Sequence, residues 1–164
     1  MCRLMFILSS YLSYKIEEKE GKKMKIEVVY THRCKETKLL AEDMARYAKT
    51  FAKPLTSFDF HHNVDLLVIG FEEFYCLKDK ELEEFISQLS RTYIKNVALF
   101  NMFCINNKQM EHIIQLCQKQ DLPLMRETYS CKKGIKSKQY LNDDIISGGR
   151  IYIEDMVNIC QHYY

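Results

Sequence analysis

The stretch Met24-Lys25-Ile26-Glu27-Val28-Val29-Tyr30-Thr31-His32-Arg33-Cys34-Lys35-Glu36-Thr37, continued by KLLAEDMARYA to Ala48, decides how the rest of this chain is read. Ile26, Val28 and Val29 are β-branched and stand beside Tyr30, which suits a strand. From Lys38 the period changes. Leu40, Ala41, Met44, Ala45 and Ala48 recur at helical spacing, with Glu42, Asp43, Arg46 and Lys49 on the opposite side. A strand that feeds a helix through the short turn Thr31–Thr37 leaves free backbone N–H groups at the helix start. Those groups and the helix dipole favour an anion there. Thr37 adds a hydroxyl, and Arg33 and Lys35 add positive charge. The turn is therefore a candidate cradle for a phosphorylated ligand.

The rest of the composition is that of an ordinary globular chain. With 164 residues, 47% hydrophobic and 28% charged, one domain with a core of its own is expected. The net charge is only +2, and that excess sits in residues 1–23; the remainder is neutral. Nothing in this charge demands a nucleic-acid partner. The seven cysteines, at 2, 34, 76, 104, 117, 131 and 160, show no C-x-x-C and no zinc spacing. They read as reduced thiols of a cytoplasmic protein. Residues 1–23 stand outside the pattern and are expected to be an N-terminal extension to a domain spanning 24–164. Their apolar run, Leu4 to Leu12, is too short to span a bilayer.

Downstream, strands and helices alternate. After the Lys53-Pro54 break, the alternation of Leu55 to Phe60 predicts a second strand at a sheet edge. Val64-Asp65-Leu66-Leu67-Val68-Ile69-Gly70 is the strongest strand signal, a near-continuous apolar run that predicts a central strand covered on both faces. An aromatic-rich loop is expected at 71–76, with Glu72 and Glu73 solvated. A helix over Lys80–Leu89, a strand over Asn96–Phe103, a helix over Asn107–Lys119 and a strand over Leu122–Tyr129 follow. Residues 135–150 carry little pattern, with Gly148-Gly149 as a break, and Ile151–His162 closes as a helix. Five alternations predict a parallel sheet with right-handed crossovers and helices on both faces.

This order and these loops resemble the flavodoxins and flavodoxin-like domains, from about residue 24 to the end. Tyr30-Thr31-His32-Arg33-Cys34-Lys35-Glu36-Thr37 stands where that family has its phosphate loop, usually T/S-x-T-G-x-T. Asp65–Phe71 is similar to its third strand and the start of its flavin loop. Ala98-Leu99-Phe100 resembles its fourth strand, and Tyr129–Gly134 its fifth-strand ending. The resemblance implies an α/β three-layer sandwich, with a five-stranded parallel sheet of order 2-1-3-4-5. It also implies flavin mononucleotide (FMN) at the carboxyl ends of the strands, at the topological switch point. On that basis Thr31, His32, Arg33, Cys34, Lys35, Glu36 and Thr37 would hold the phosphate. Phe71, Phe74, Tyr75, Asn101, Met102 and Phe103 would flank the isoalloxazine, with Phe74 or Tyr75 stacked on it.

The chain also departs from that pattern. The loop glycine is Lys35 and the second threonine is Cys34. Glycine permits close backbone approach to a phosphate; a lysine either strains the backbone or pairs with the phosphate itself. The acidic surface of the family is missing, so a strongly basic docking partner is not expected. Cys34 lacks the arginine six residues on that a phosphatase loop requires, since Leu40 stands there. A receiver domain would need acidic residues where Thr31 and His32 stand. His61-His62 is a surface pair before it is a metal site.

The functional expectation is an FMN-dependent electron carrier. It would serve redox partner proteins, a reductase and/or an acceptor oxidoreductase, without a nucleic-acid partner and without a membrane span. Two alternatives stand beside it. One is a binding or assembly protein of the same fold that has lost the flavin. The other is a small FMN-dependent reductase acting directly on its substrate.

Overall fold

A computed structural model of the chain describes residues 23–73, 79–105, 107–133 and 141–163. The strands are β1 (Ile26–Tyr30), β2 (Ala52–Pro54), β3 (Leu66–Glu73), β4 (Val97–Phe103) and β5 (Leu124–Lys132). The helices are α1 (Lys35–Tyr47), α2 (Lys80–Gln88), α3 (Lys108–Lys119) and α4 (Asp143–Tyr163), with a 3₁₀ turn at Leu55–Ser57. The sheet order is β2-β1-β3-β4-β5 and every neighbouring pair is parallel, as the sequence predicts.

The two faces of the sheet follow from residue parity. Val29, Leu67, Ile69, Phe71, Val97 and Leu99 point to one layer, covered by Leu82, Phe85 and Ile86 of α2 and by Met110, Ile113 and Cys117 of α3. Val28, Leu66, Val68, Ala98 and Phe100 point to the other, covered by Leu40, Met44 and Ala45 of α1 and by Tyr152, Ile153 and Met156 of α4. β3 is buried along its whole length. Each of its large apolar side chains contributes about 1.5–3 kcal/mol by leaving water.

Several elements differ from the sequence expectation. The second strand lies at 52–54, earlier than the predicted 55–60, and it ends where Pro54 pairs with Tyr30. The alternation at 55–60 has a different origin. Leu55 and Phe58 are buried, and Phe58, Phe60 and Phe85 form a ring cluster with centroids 5.2–5.4 Å apart. That cluster and the 3₁₀ turn, rather than an α-helix, cover the connection from β2 to β3. β3 continues through Phe71, Glu72 and Glu73, the start of the expected loop, because these residues pair with Asn101, Met102 and Phe103 of β4. β5 likewise runs on to Lys132.

α4 begins eight residues before the predicted start and runs through Gly148-Gly149. Asn142 starts it, its side-chain oxygen accepting from the Asp144 backbone N–H at 3.1 Å. Asp143 and Asp144 then complement the helix dipole. The glycines are points of contact rather than breaks. A Cβ on Gly148 would lie 2.5 Å from the Tyr129 hydroxyl, and one on Gly149 would lie 2.9 Å from Leu40 Cδ1. α4 is tied to α1 by the bidentate Arg150–Asp43 pair at 2.8 Å. Between Val97 and Leu99 the β4–β5 register slips. The Tyr152 hydroxyl is placed there, facing the carbonyls of Leu99 at 3.0 Å and Glu127 at 3.1 Å.

Candidate functional site

Thr31–Cys34 joins β1 to α1 at the carboxyl edge of the sheet, and Lys35, Glu36 and Thr37, the second half of the expected turn, form the first turn of the helix. The Thr31 backbone N–H donates to the Gly70 carbonyl at 3.0 Å, which fixes the start of the loop against β3. Cys34 is the residue before the helix, with extended backbone (φ −125°, ψ 132°) and no side-chain cap. Among the described residues only Lys49 and Asp121 are non-glycine residues with positive φ. Lys35 therefore takes the place of the family's glycine without left-handed strain.

The loop is held by charge on both sides. Arg33 pairs with the buried Asp79 at 3.2 Å. Asp79 also caps α2 by accepting from the Leu82 N–H at 3.3 Å. His32 lies 3.8 Å from Glu81. Across the loop, Lys133, just beyond β5, pairs with Glu36 at 2.8 Å and lies 3.7 Å from the Cys34 sulfur. The Cys34 thiol donates to the other Glu36 oxygen at 2.7 Å. Burial raises the Glu36 carboxyl, but the Lys133 hydrogen bond, its own backbone N–H and the Lys133 and Lys35 charges outweigh this and leave it below the ordinary value.

Glu72 and Glu73 are buried, contrary to the expectation that they are solvated. Parity explains both. Glu72 continues the Leu66, Val68, Gly70 face toward α1, where Thr37 donates to its Oε2 at 3.1 Å. Its Oε1 has no partner. Burial, then the Asp79 charge, push the Glu72 carboxyl up to about 7, against the pull of Lys133 and Arg33. Glu73 points to the other face and accepts from the Gln109 N–H in the first turn of α3 at 3.1 Å, a favourable place for a carboxylate.

Asn101, at the same level of β4, is fully buried. Its amide donates to Asn107 at 2.5 Å, and Asn107 donates in turn to Ser130 at 2.9 Å. Its Oδ1 is unpartnered, as is the hydroxyl of the fully buried Thr31. Four buried side-chain atoms among the described residues have no hydrogen-bond partner: Glu27 Oε2, Thr31 Oγ1, Glu72 Oε1 and Asn101 Oδ1. Glu27 Oε2 is nonetheless 2.5 Å from the Lys53 ammonium, an ion pair that satisfies it. The other three all lie at the carboxyl ends of adjacent strands. Unpaired buried polar atoms are expensive and rare, so their concentration at one edge is what makes this edge the candidate site.

The structure thus brings Thr31, Cys34, Glu36, Thr37 and Asn101 of the predicted set to one edge. Lys35 opens α1 beside them, and His32 and Arg33 are exposed on the loop. Met102 is buried on the α1/α4 side, and Phe103 is half-buried at the strand end. Phe71 is fully buried in the α2/α3 core, a packing position. Phe74 and Tyr75 lie outside the described residues. Sequence reasoning missed Asp79 and Lys133, and it misjudged Glu72. The extension of the β3 parity by one step was the available signal for Glu72. Lys133 is 99 residues from Cys34 and carries no local signal.

Other candidates find structural partners. His62 pairs with Glu27 at 2.9 Å, and His61 packs edge-on against Tyr93. Among the described residues no group of three or more His, Cys, Asp or Glu side chains could hold a metal ion. Cys34, Cys104, Cys117, Cys131 and Cys160 are free. Burial pushes the Cys117 thiol up to about 12 and those of Cys131 and Cys160 up to about 11, so these three stay protonated. No helix among the described residues is long and apolar enough to cross a membrane.

A parallel sheet whose order reverses between β1 and β3, with unpaired polar atoms at its carboxyl edge, defines a doubly wound α/β protein, the class in which ligands bind outside the carboxyl ends of the strands at the switch point. Comparison with solved structures identifies which such fold it is: this chain has the flavodoxin-like fold. An archaeal flavodoxin superposes with a TM-score of 0.71 at 16% identity, covering 85% of this chain and 100% of that one. Oxidised flavodoxin 2 of Bacillus cereus gives 0.63 at 12% identity, covering 82% and 98%. An NADH:FMN oxidoreductase in its apo form gives 0.58 at 12% identity, covering 80% and 87%. No protein-family model and no curated protein sequence matches the chain.

Proposed function

We propose that this chain binds FMN at the carboxyl edge of its sheet and transfers electrons between partner oxidoreductases. The observation that carries the reading is the clustering of Thr31 Oγ1, Glu72 Oε1 and Asn101 Oδ1, buried and unpartnered, at the switch point of a flavodoxin-like sheet. The residues present suit the cofactor. The loop from His32 to Thr37 offers the first-turn amides of α1, Thr31 offers a free hydroxyl, and Arg33 and Lys133 offer cations. Asn101, Met102 and Phe103 stand at the strand end where the ring would be bordered. Bound FMN supplies the one- and two-electron chemistry that the side chains lack. The protein positions it, excludes water and sets the local charge. Glu72 contributes a buried carboxyl that holds a proton near neutral pH.

The partner is proposed to be a dedicated reductase or acceptor oxidoreductase, because the neutral surface of residues 24–164 suits specific docking better than broad electrostatic recruitment. The free thiols suit a reducing cytoplasm. One observation favours a second reading, a flavin-free binding or assembly protein: the Glu36 carboxylate already sits in the first turn of α1.

The test is visible absorbance of purified protein before and after incubation with FMN and desalting. A retained, shifted flavin spectrum supports the first reading. Colourless protein that also fails to quench FMN fluorescence sinks it in favour of the second. NAD(P)H turnover without an added partner would instead reassign the protein as a reductase.

A further inference from the structure

The cradle carries an anion of its own. Glu36 is the second residue of α1, and its carboxylate lies beside its own backbone N–H, one of the amides a bound anion would use. One oxygen takes the Lys133 ammonium at 2.8 Å and the other takes the Cys34 thiol at 2.7 Å. Only 14% of the Glu36 side chain is exposed, so this is an inward arrangement rather than a surface pair. A second feature points independently to a ligand in the same turn. Thr37 donates to Glu72 Oε2, while Glu72 Oε1, on a side chain 4% exposed, has no partner.

We infer that Glu36 is an internal counter-ion which a phosphate monoester displaces on binding, taking over Lys133 and the α1 amides. This rests on the phosphate-cradle reading above and adds its regulation: ligand affinity is set by an exchange of one anion for another. The carboxylate carries one negative charge and the phosphate up to two, so the exchange favours the phosphorylated ligand while holding its affinity below that of an unplugged cradle. Lys133, which begins where β5 ends, swaps partners without leaving the loop. A flavin without phosphate has no group to displace Glu36 and is indifferent to it.

The experiment compares wild type, Glu36→Gln and Lys133→Met, with FMN and riboflavin as probes read by flavin fluorescence and inorganic phosphate read by amide chemical shifts. Circular dichroism verifies that each variant folds. Glu36→Gln is expected to bind FMN about tenfold more tightly, as removal of one charge from a helix N-terminus allows, with riboflavin unchanged. Lys133→Met is expected to bind FMN about tenfold more weakly, again with riboflavin unchanged. The inference is overturned if Glu36→Gln leaves FMN affinity unchanged or lowers it, or if riboflavin follows FMN in parallel. If no protein binds either flavin, the FMN reading falls, and inorganic phosphate decides the exchange alone. Tighter phosphate binding by Glu36→Gln upholds it; equal, weaker or undetectable binding overturns it.

Discussion

Replacing Glu72 with Gln should make the protein more stable at pH 8 and leave it nearly unchanged at pH 4. In the fold, burial and the nearby Asp79 push this carboxyl up to about 7, whereas it titrates near 4.5 in the unfolded chain. Between those values the folded protein holds a proton that the unfolded chain has released, so stability falls as pH rises. Below about pH 4.5 both states are protonated and nothing is lost; above about pH 7 the loss is complete. The difference is worth roughly 3 kcal/mol. In a chain of this length that corresponds to roughly 6–12 °C in Tm. Gln keeps the acceptor for the Thr37 hydroxyl and removes the ionisation, so it copies the protonated side chain. The assay is thermal unfolding of ligand-free wild type and variant at half-unit steps from pH 4 to 8. The two curves of Tm against pH should meet at the acid end, diverge between about pH 4.5 and pH 7, and keep a constant offset above that. Parallel curves would refute the assignment of Glu72 as a buried, proton-holding carboxyl.

Three further substitutions test the packing that frames the site. Gly70→Ala would drive a Cβ into the ring of the fully buried Phe100; a loss of about 1–3 kcal/mol or more should appear in chemical denaturation, and wild-type stability would show the ring free to yield. Gly148→Ala should destabilise by about 1–3 kcal/mol despite the better helix propensity of alanine, because the Tyr129 hydroxyl in its way is held by the Ile145 carbonyl at 2.8 Å; an increase in Tm would contradict this. Tyr152→Phe leaves two carbonyls at the β4–β5 register slip without their donor, at a cost of about 1–3 kcal/mol, and amide exchange should rise in β4 and β5 first.

How much of this was legible in the sequence depended on whether a signal was local. β1, β3, β4 and the helices α1 to α3 declared themselves through apolar periodicity, and the sheet order followed from the family resemblance. The second strand was misplaced because Leu55, Phe58 and Phe60 alternate for a reason of ring packing, which a period-two reading cannot distinguish from a pleat. The start of α4 was readable in Asn142-Asp143-Asp144, a capping signature, but Gly148-Gly149 outweighed it. Close contact with Tyr129 and Leu40 accounts for those glycines, and only the tertiary structure shows it. At the site, the loop 31–37 was found from its position between a strand and a helix. Its electrostatics were not, since Asp79 and Lys133 arrive from distant elements and Glu72 owes its burial to β3 running two residues past the last aromatic.

The shortness of β2 bears on how this molecule meets its own copies. An open sheet offers each outer strand as a template to which another chain can add, and parallel sheets have two such borders. On one border this protein presents only Ala52, Lys53 and Pro54, too few for a lasting ladder and ending in a residue with no N–H to give. The other border, β5, is nine residues long but exposes Arg126, Glu127 and Lys132 along it, charges that an incoming strand would have to strip of water. A sheet buried through its middle is thereby kept from growing sideways, one border closed by brevity and the other by charge.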